Sequence, residues 1–132
     1  MTLLSLCHMN VLPNSNKSRR AAALSDGVIA EVAGIFSVLG EPTRLRMVEQ
    51  LREGPLCVSD LVERLGAKQA NVSKQLGILH GAGLVARERD GAQVRYYISE
   101  PLVLELCDAV CAKLRRDAEA TVASLRGVRV RR

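Results

Sequence analysis

Five stretches of the chain repeat their apolar residues at the helical period, and one repeats them every second residue. Ser25 stands where it can cap a helix, and Val28, Val32, Ile35, Phe36 and Leu39 follow at helical spacing as far as Gly40. "EPTRLRMVEQLREG" begins a second helix. Pro42 lies near its first turn, where a missing N–H does no harm, and Leu45, Val48 and Leu51 form its expected buried stripe before Gly54 stops it. "CVSDLVERLG" is a short third helix closed by Gly66. "KQANVSKQLGILHGAG" is a fourth, buried through Val72, Leu76 and Leu79 and ended by Gly81 or Gly83. "LVARERDGAQVRYYI" then alternates apolar and polar on both sides of Asp90-Gly91, which is a hairpin signal. From Pro101 a last helix carries Leu102, Leu106, Ala109, Val110, Lys113 and Leu114 and runs on to about Leu125. The third and fourth helices meet through a tight "GAKQ" turn, and a basic hairpin follows. This order predicts a mainly α fold with a small β-hairpin wing, a winged helix-turn-helix.

The flanks lack such periods. Residues 1–23 carry Asn, Ser, Pro and a small basic cluster (Lys17, Arg19, Arg20) and read as a flexible N-terminal arm. Residues 24–125 read as the winged helix-turn-helix domain, and 126–132 as a basic tail. At 132 residues the chain holds one domain with a modest core, and only 2% aromatic content makes that core aliphatic. No basic residue precedes the first apolar run, and His8 and Asn10 interrupt it, so it makes a poor secretory signal. No run approaches the ~20 apolar residues of a membrane span. Four unevenly spaced cysteines (7, 57, 107, 111) suit free thiols in a reducing cytoplasm better than a disulfide framework.

Charge sharpens the picture only where it is placed. The net charge of +5 suits a polyanionic partner or merely a basic protein. The fourth helix is more telling. Its polar face offers Gln69, Asn71, Ser73, Lys74 and Gln75, and no acidic residue occurs from Ala67 to Gly83. Such side chains suit base edges and phosphates in a major groove. The hairpin adds Arg87, Arg89, Gln93 and Arg95. Arg87 and Arg89 share a strand face and can straddle a phosphate backbone. No Ser-His-Asp set, His/Asp/Glu constellation or phosphate loop suggests an enzyme.

The run from "GEPTRLRMVEQL" through "LCVSDLVERLG", "NVSKQLGILHGAGLV" and "RYYIS" resembles the ArsR/SmtB family of metal- and metalloid-sensing repressors, over about Ile35 to Leu114. The resemblance implies a homodimer joined through the first and last helices, bound to palindromic operator DNA and released by an inducer. One family site uses two cysteines at the start of the third helix. Here "PLCVSDL" keeps Cys57 but places Ser59 at the second position, and a hydroxyl is a poor ligand for soft metals. Another uses Asp and His on the last helix, which has no His; the chain holds only His8 and His80.

"LELCDAVCAKL" remains. Cys107 and Cys111 stand at i and i+4, with Cβ atoms ~5–6 Å apart on one helix face. That is too wide for a relaxed disulfide, whose Cβ atoms lie ~3.5–4.5 Å apart. An ion can sit between the two sulfurs, and thiolates without imidazole favour a soft species. Trivalent arsenic or antimony fits, and the resemblance includes arsenic sensors with cysteines on this helix. Cys57 or Cys7 is the candidate third ligand. The same cysteines could also be plain core residues. They could instead form a thiol redox or persulfide switch, with Cys57 pairing to one of them, on the same DNA-binding fold. A winged-helix module that binds protein rather than DNA is opposed by the basic hairpin and the acid-free helix.

Overall fold

The computed structural model describes residues 23–128. The N-terminal arm but for Ala23, Cys7 within it, and the tail from residue 129 fall outside those residues. The chain divides into two compact units between Phe36 and Ser37.

Helix α1 spans Asp26–Leu39 and crosses that division. The hydroxyl of Ser25 accepts the backbone N–H of Val28 at 3.3 Å, as its capping position predicts. In the first unit Val28, Ile29, Val32 and Phe36 are exposed, so the apolar stripe is present but uncovered.

The second unit holds the rest. Helix α2 (Pro42–Leu51) is capped by the carboxylate of Glu41, which accepts Arg44 N–H at 3.0 Å. It buries Met47, Val48 and Leu51. The expected stripe named Leu45 instead of Met47, and Leu45 is 36% exposed. Leu45 lies roughly 100° round the helix from the centre of the buried three, at the stripe's edge. Strand β1 is only Leu56–Cys57, and helix α3 (Val58–Leu65) follows at once with Leu61 buried. Gly66 closes α3 at φ 60°, a left-handed turn that glycine makes without strain. Helix α4 (Gln69–Gly81) buries Val72, Leu76 and Leu79, as expected. Gly81 is its last residue, and Gly83 at φ 74° turns the chain out.

Strands β2 (Val85–Asp90) and β3 (Gln93–Ile98) form the hairpin. Their register runs from Val85↔Ile98 to Asp90↔Gln93, so the loop is Gly91-Ala92. Gly91 has φ 62° and Ala92 does not need positive φ, as in turns that place glycine first. The sheet order is β1-β3-β2, so the wing is three-stranded, with Leu56↔Tyr96 and Cys57↔Arg95 paired. Helix α5 (Leu102–Leu125) reaches the predicted end, but buries only Val103. From Lys113 onward its described residues are all exposed, Leu114, Val122 and Leu125 among them. The core is aliphatic, centred on Met47, Val48, Leu61, Val72, Leu76 and Leu79, with no buried polar side chain among the described residues.

Candidate nucleic-acid interface and thiol pair

The buried stripe of α4 fixes which of its side chains are presented. With Val72, Leu76 and Leu79 packed inward, Gln69, Asn71, Ser73 and Lys74 are exposed on the outer face. Gln75 differs. It is half-buried, its Oε1 accepts from Arg44 Nη1 at 2.7 Å, and its Nε2 donates to Asn71 Oδ1 at 3.2 Å. Arg44 also donates to the carbonyls of Val38 and Ser37 at the end of α1. Sequence reasoning missed Arg44; an arginine inside an amphipathic helix gives no sign that it reaches a residue 31 positions away.

The wing sorts its charges by face. Side chains opposite one another in an antiparallel pair share a face. Arg87 faces Tyr96 and Arg89 faces Val94, so the two arginines share one face, as expected. Arg95 faces Glu88 on the other side, with the Asp90–Gln93 pair beside it. Its guanidinium bridges to Asp90 at 3.3 Å. The structure therefore does not bring Arg95 together with Arg87 and Arg89, and two carboxylates offset its charge.

The thiols occupy three different settings. Cys57 is buried between β1 and α3. Its backbone N–H and its Sγ both donate to Asp60 Oδ2, at 3.2 and 3.0 Å, and its Sγ lies 3.0 Å from Ser59 Oγ. The two bonds from Cys57 hold the Asp60 carboxyl below its ordinary range. Cys107 is half-buried on α5, and burial, then the nearby Glu49 carboxylate, push its thiol up. Cys111, one turn on, is exposed, so it is not a core residue of the single chain. Beside them Arg52, just past α2, grips Asp108 through two nitrogens at 2.8 and 3.2 Å and Glu49 at 2.8 and 3.2 Å. Glu49 and Asp108 raise the already high guanidinium pKa further. Among the described residues no three His, Cys, Asp or Glu side chains converge, so Cys57 does not join Cys107 and Cys111 within one chain.

Residues 41–87, which carry α2 through the start of the wing, match the family model described as bacterial regulatory protein, arsR family. The chain is 39% identical over 92 residues to the HTH-type transcriptional regulator NmtR of Mycobacterium tuberculosis, covering 70% of this chain and 77% of that one. This chain belongs to the ArsR family. Solved structures agree with the ArsR assignment. The AntR antimony-specific transcriptional repressor superposes with a TM-score of 0.65 at 31% identity, covering 74% of this chain and 89% of that one. The homodimeric winged helix-turn-helix DNA-binding domain Mb0332 of Mycobacterium bovis gives 0.66 at 25% identity, with 75% and 94% covered. As an ArsR-family member the chain is a DNA-binding transcriptional regulator and not an enzyme. Among its described residues no helix is long and apolar enough to cross a membrane.

Proposed function

We propose that this chain is a cytoplasmic homodimeric repressor. It holds operator DNA through α4 and the Arg87–Arg89 face of the wing. It lets go when trivalent arsenic or antimony is captured by Cys107 and Cys111. The DNA reading rests on the acid-free outer face of α4, whose buried stripe leaves Gln69, Asn71, Ser73 and Lys74 presented together. A partner copy covers the apolar faces that α1 and α5 expose.

One observation carries the inducer: two thiols one turn apart on α5, with no histidine on that helix. This donor set suits a soft, thiophilic ion. Burial, then the nearby Glu49 carboxylate, push the Cys107 thiol up, which favours its protonated form. A divalent metal has to expel that proton to solvent, so its binding weakens as pH falls. A trivalent hydroxide does not. As each sulfur bonds to the metalloid, one hydroxyl departs and takes the thiol proton with it as water. A third thiolate, Cys57 or Cys7, would fill the remaining position; from Cys57 it would have to come across the dimer.

The test is release of a fluorescent operator duplex during titration with arsenite, antimonite, cadmium, zinc, copper(I) or polysulfide. Arsenite or antimonite should release the parent and fail to release Cys107→Ser/Cys111→Ser, which should still fold and bind DNA. A double variant that releases DNA at the parent's arsenite concentration refutes the site. Release by polysulfide alone, lost in the same variant, would replace the metalloid with a thiol redox or persulfide signal, for which exposed Cys111 offers an accessible sulfur.

A further inference from the structure

The bonds behind the outer face of α4 have a direction. A guanidinium has donors only. Arg44 therefore faces the oxygen of Gln75, and at 2.7 Å it leaves no place there for the amide nitrogen. The nitrogen must point the other way, where it donates to Asn71 Oδ1 at 3.2 Å. Here the guanidinium decides, because turning either amide over sets donor against donor. Arg44 cannot turn to suit, since its other nitrogens are held by the carbonyls of Val38 and Ser37. At the end of the relay the Asn71 oxygen is engaged. Its amide nitrogen, with two hydrogens, has no protein partner among the described residues, and the residue is exposed. Asn71 also lies in the first turn of α4, the end from which recognition helices meet base edges.

We infer that Asn71 reads its base as a hydrogen-bond donor, with Gln75 and Arg44 as positioning residues behind it. This rests on the reading of α4 as the groove helix. An unconstrained asparagine grips adenine with both ends, accepting from N6 and donating to N7. With its oxygen turned inward to Gln75 and both hydrogens of its nitrogen unpartnered among the described residues, Asn71 instead favours acceptors: guanine N7 and O6, or thymine O4. Gln75, which the sequence offers as a base contact, becomes the residue that sets the polarity of its neighbour.

The experiment uses the full chain and a duplex chosen from a randomised pool. Comparison with Asn71→Ala locates the base pair concerned. Analogues then delete one edge atom at a time: an acceptor (purine N7, guanine O6 or thymine O4) or an exocyclic amino donor (adenine N6 or cytosine N4). The parent should lose about tenfold in affinity when an acceptor is deleted, and nothing when an amino group is deleted. Asn71→Asp still accepts from Gln75 but turns an oxygen outward, so it should respond to the amino deletion instead. Gln75→Glu still accepts from Arg44 but sets an acceptor against the Asn71 oxygen, so the Asn71 amide turns over, points its oxygen outward and should respond to the amino deletion. A parent that responds to amino deletion, or a Gln75→Glu pattern identical to the parent's, overturns the inference. So does an Asn71→Ala variant with unchanged base preference while Ser73→Ala changes it, and in that case α4 still reads DNA. If no substitution on α4 changes base preference, the groove-helix reading itself fails.

Discussion

Replacing Leu114 with Ala should weaken the dimer without weakening the protomer. Leu114 is 59% exposed on the single chain, and α5 exposes Val110, Val122 and Leu125 with it. Fully burying a leucine side chain is worth about 1.5–3 kcal/mol, so covering the exposed share is worth roughly 1–2 kcal/mol. A two-fold interface contains the residue twice, which makes roughly 2–4 kcal/mol per dimer. Alanine keeps Cβ and so keeps part of this. The expected loss is about 1.5–3 kcal/mol, or on the order of 10- to 100-fold in the dimer dissociation constant. The helix itself should not suffer, since alanine is the best helix former. Sedimentation equilibrium over a concentration series reads the constant, and circular dichroism checks the helix content. Arg116→Ala is the control, two residues on and ~200° round the helix. A dimer of Leu114→Ala as tight as the parent's, with Arg116→Ala equal to both, would show that this face is not the interface. A parent that stays monomeric at micromolar concentration yet binds operator tightly would refute the two-fold assembly altogether.

Arg87→Ala and Arg89→Ala should each weaken binding to all duplexes alike and reduce the salt slope of log K by about one; Arg95→Ala should change the slope less, because Glu88 and Asp90 already offset its charge. An Arg95→Ala slope change equal to the other two would contradict the separation of the faces. The Asp60 carboxyl is held below its ordinary range by Cys57, so its contribution to stability is present above its unfolded pKa and lost as pH falls through the lowered folded value. Asp60→Asn should therefore lower the urea midpoint at neutral pH and flatten its decline in acid, and an unchanged pH slope would count against the link. Release of the parent by arsenite or antimonite should change little as pH falls, whereas any release by cadmium or zinc should weaken, and a metalloid response that weakened as steeply would count against capture as the hydroxide.

The helices were legible because they are punctuated locally. Glu41-Pro42, Gly54, Gly66 and Gly83 each mark an end through cap chemistry or a backbone turn that neighbours in sequence decide. The hairpin was legible for the same reason at Gly91. Strand β1 was not, since two residues have no period of their own, and Leu56–Cys57 pairs with residues far along the chain. In α2 the choice between Leu45 and Met47 turned on a stripe's edge, which depends on the helices packed against it. The site divides in the same way. The outer face of α4 follows from its own buried stripe. The ties that position it do not: Arg44 reaches Gln75 across 31 positions and Arg52 reaches Asp108 across 56. The burial of Cys57 and the exposure of Cys111 likewise depend on what the fold lays over each.

Those two long-range ties would give α2 a place in the proposed response. Near its start, Arg44 holds α4 through Gln75; just past its end, Arg52 holds α5 through Asp108. Asp108 is the neighbour of Cys107, in the turn that runs to Cys111. An ion drawing those two sulfurs together acts on the turn whose carboxylate Arg52 grips, and α2 carries at its other end the arginine that sets Gln75 and Asn71. Proximity alone does not make such a route a coupling; the coupling is the difference in inducer affinity between free and operator-bound dimer, typically ~1–3 kcal/mol. That difference is reciprocal. On the proposed function, operator DNA must weaken arsenite binding by the same factor by which arsenite weakens operator binding. If the Arg52–Asp108 tie transmits it, Asp108→Asn should shrink both factors equally while Cys107 and Cys111 still bind arsenite to the free protein. Direct arsenite titrations with and without operator measure one factor, and operator titrations with and without arsenite measure the other. Two full-sized factors in Asp108→Asn would leave α2 a structural strut and put the coupling in the dimer interface alone.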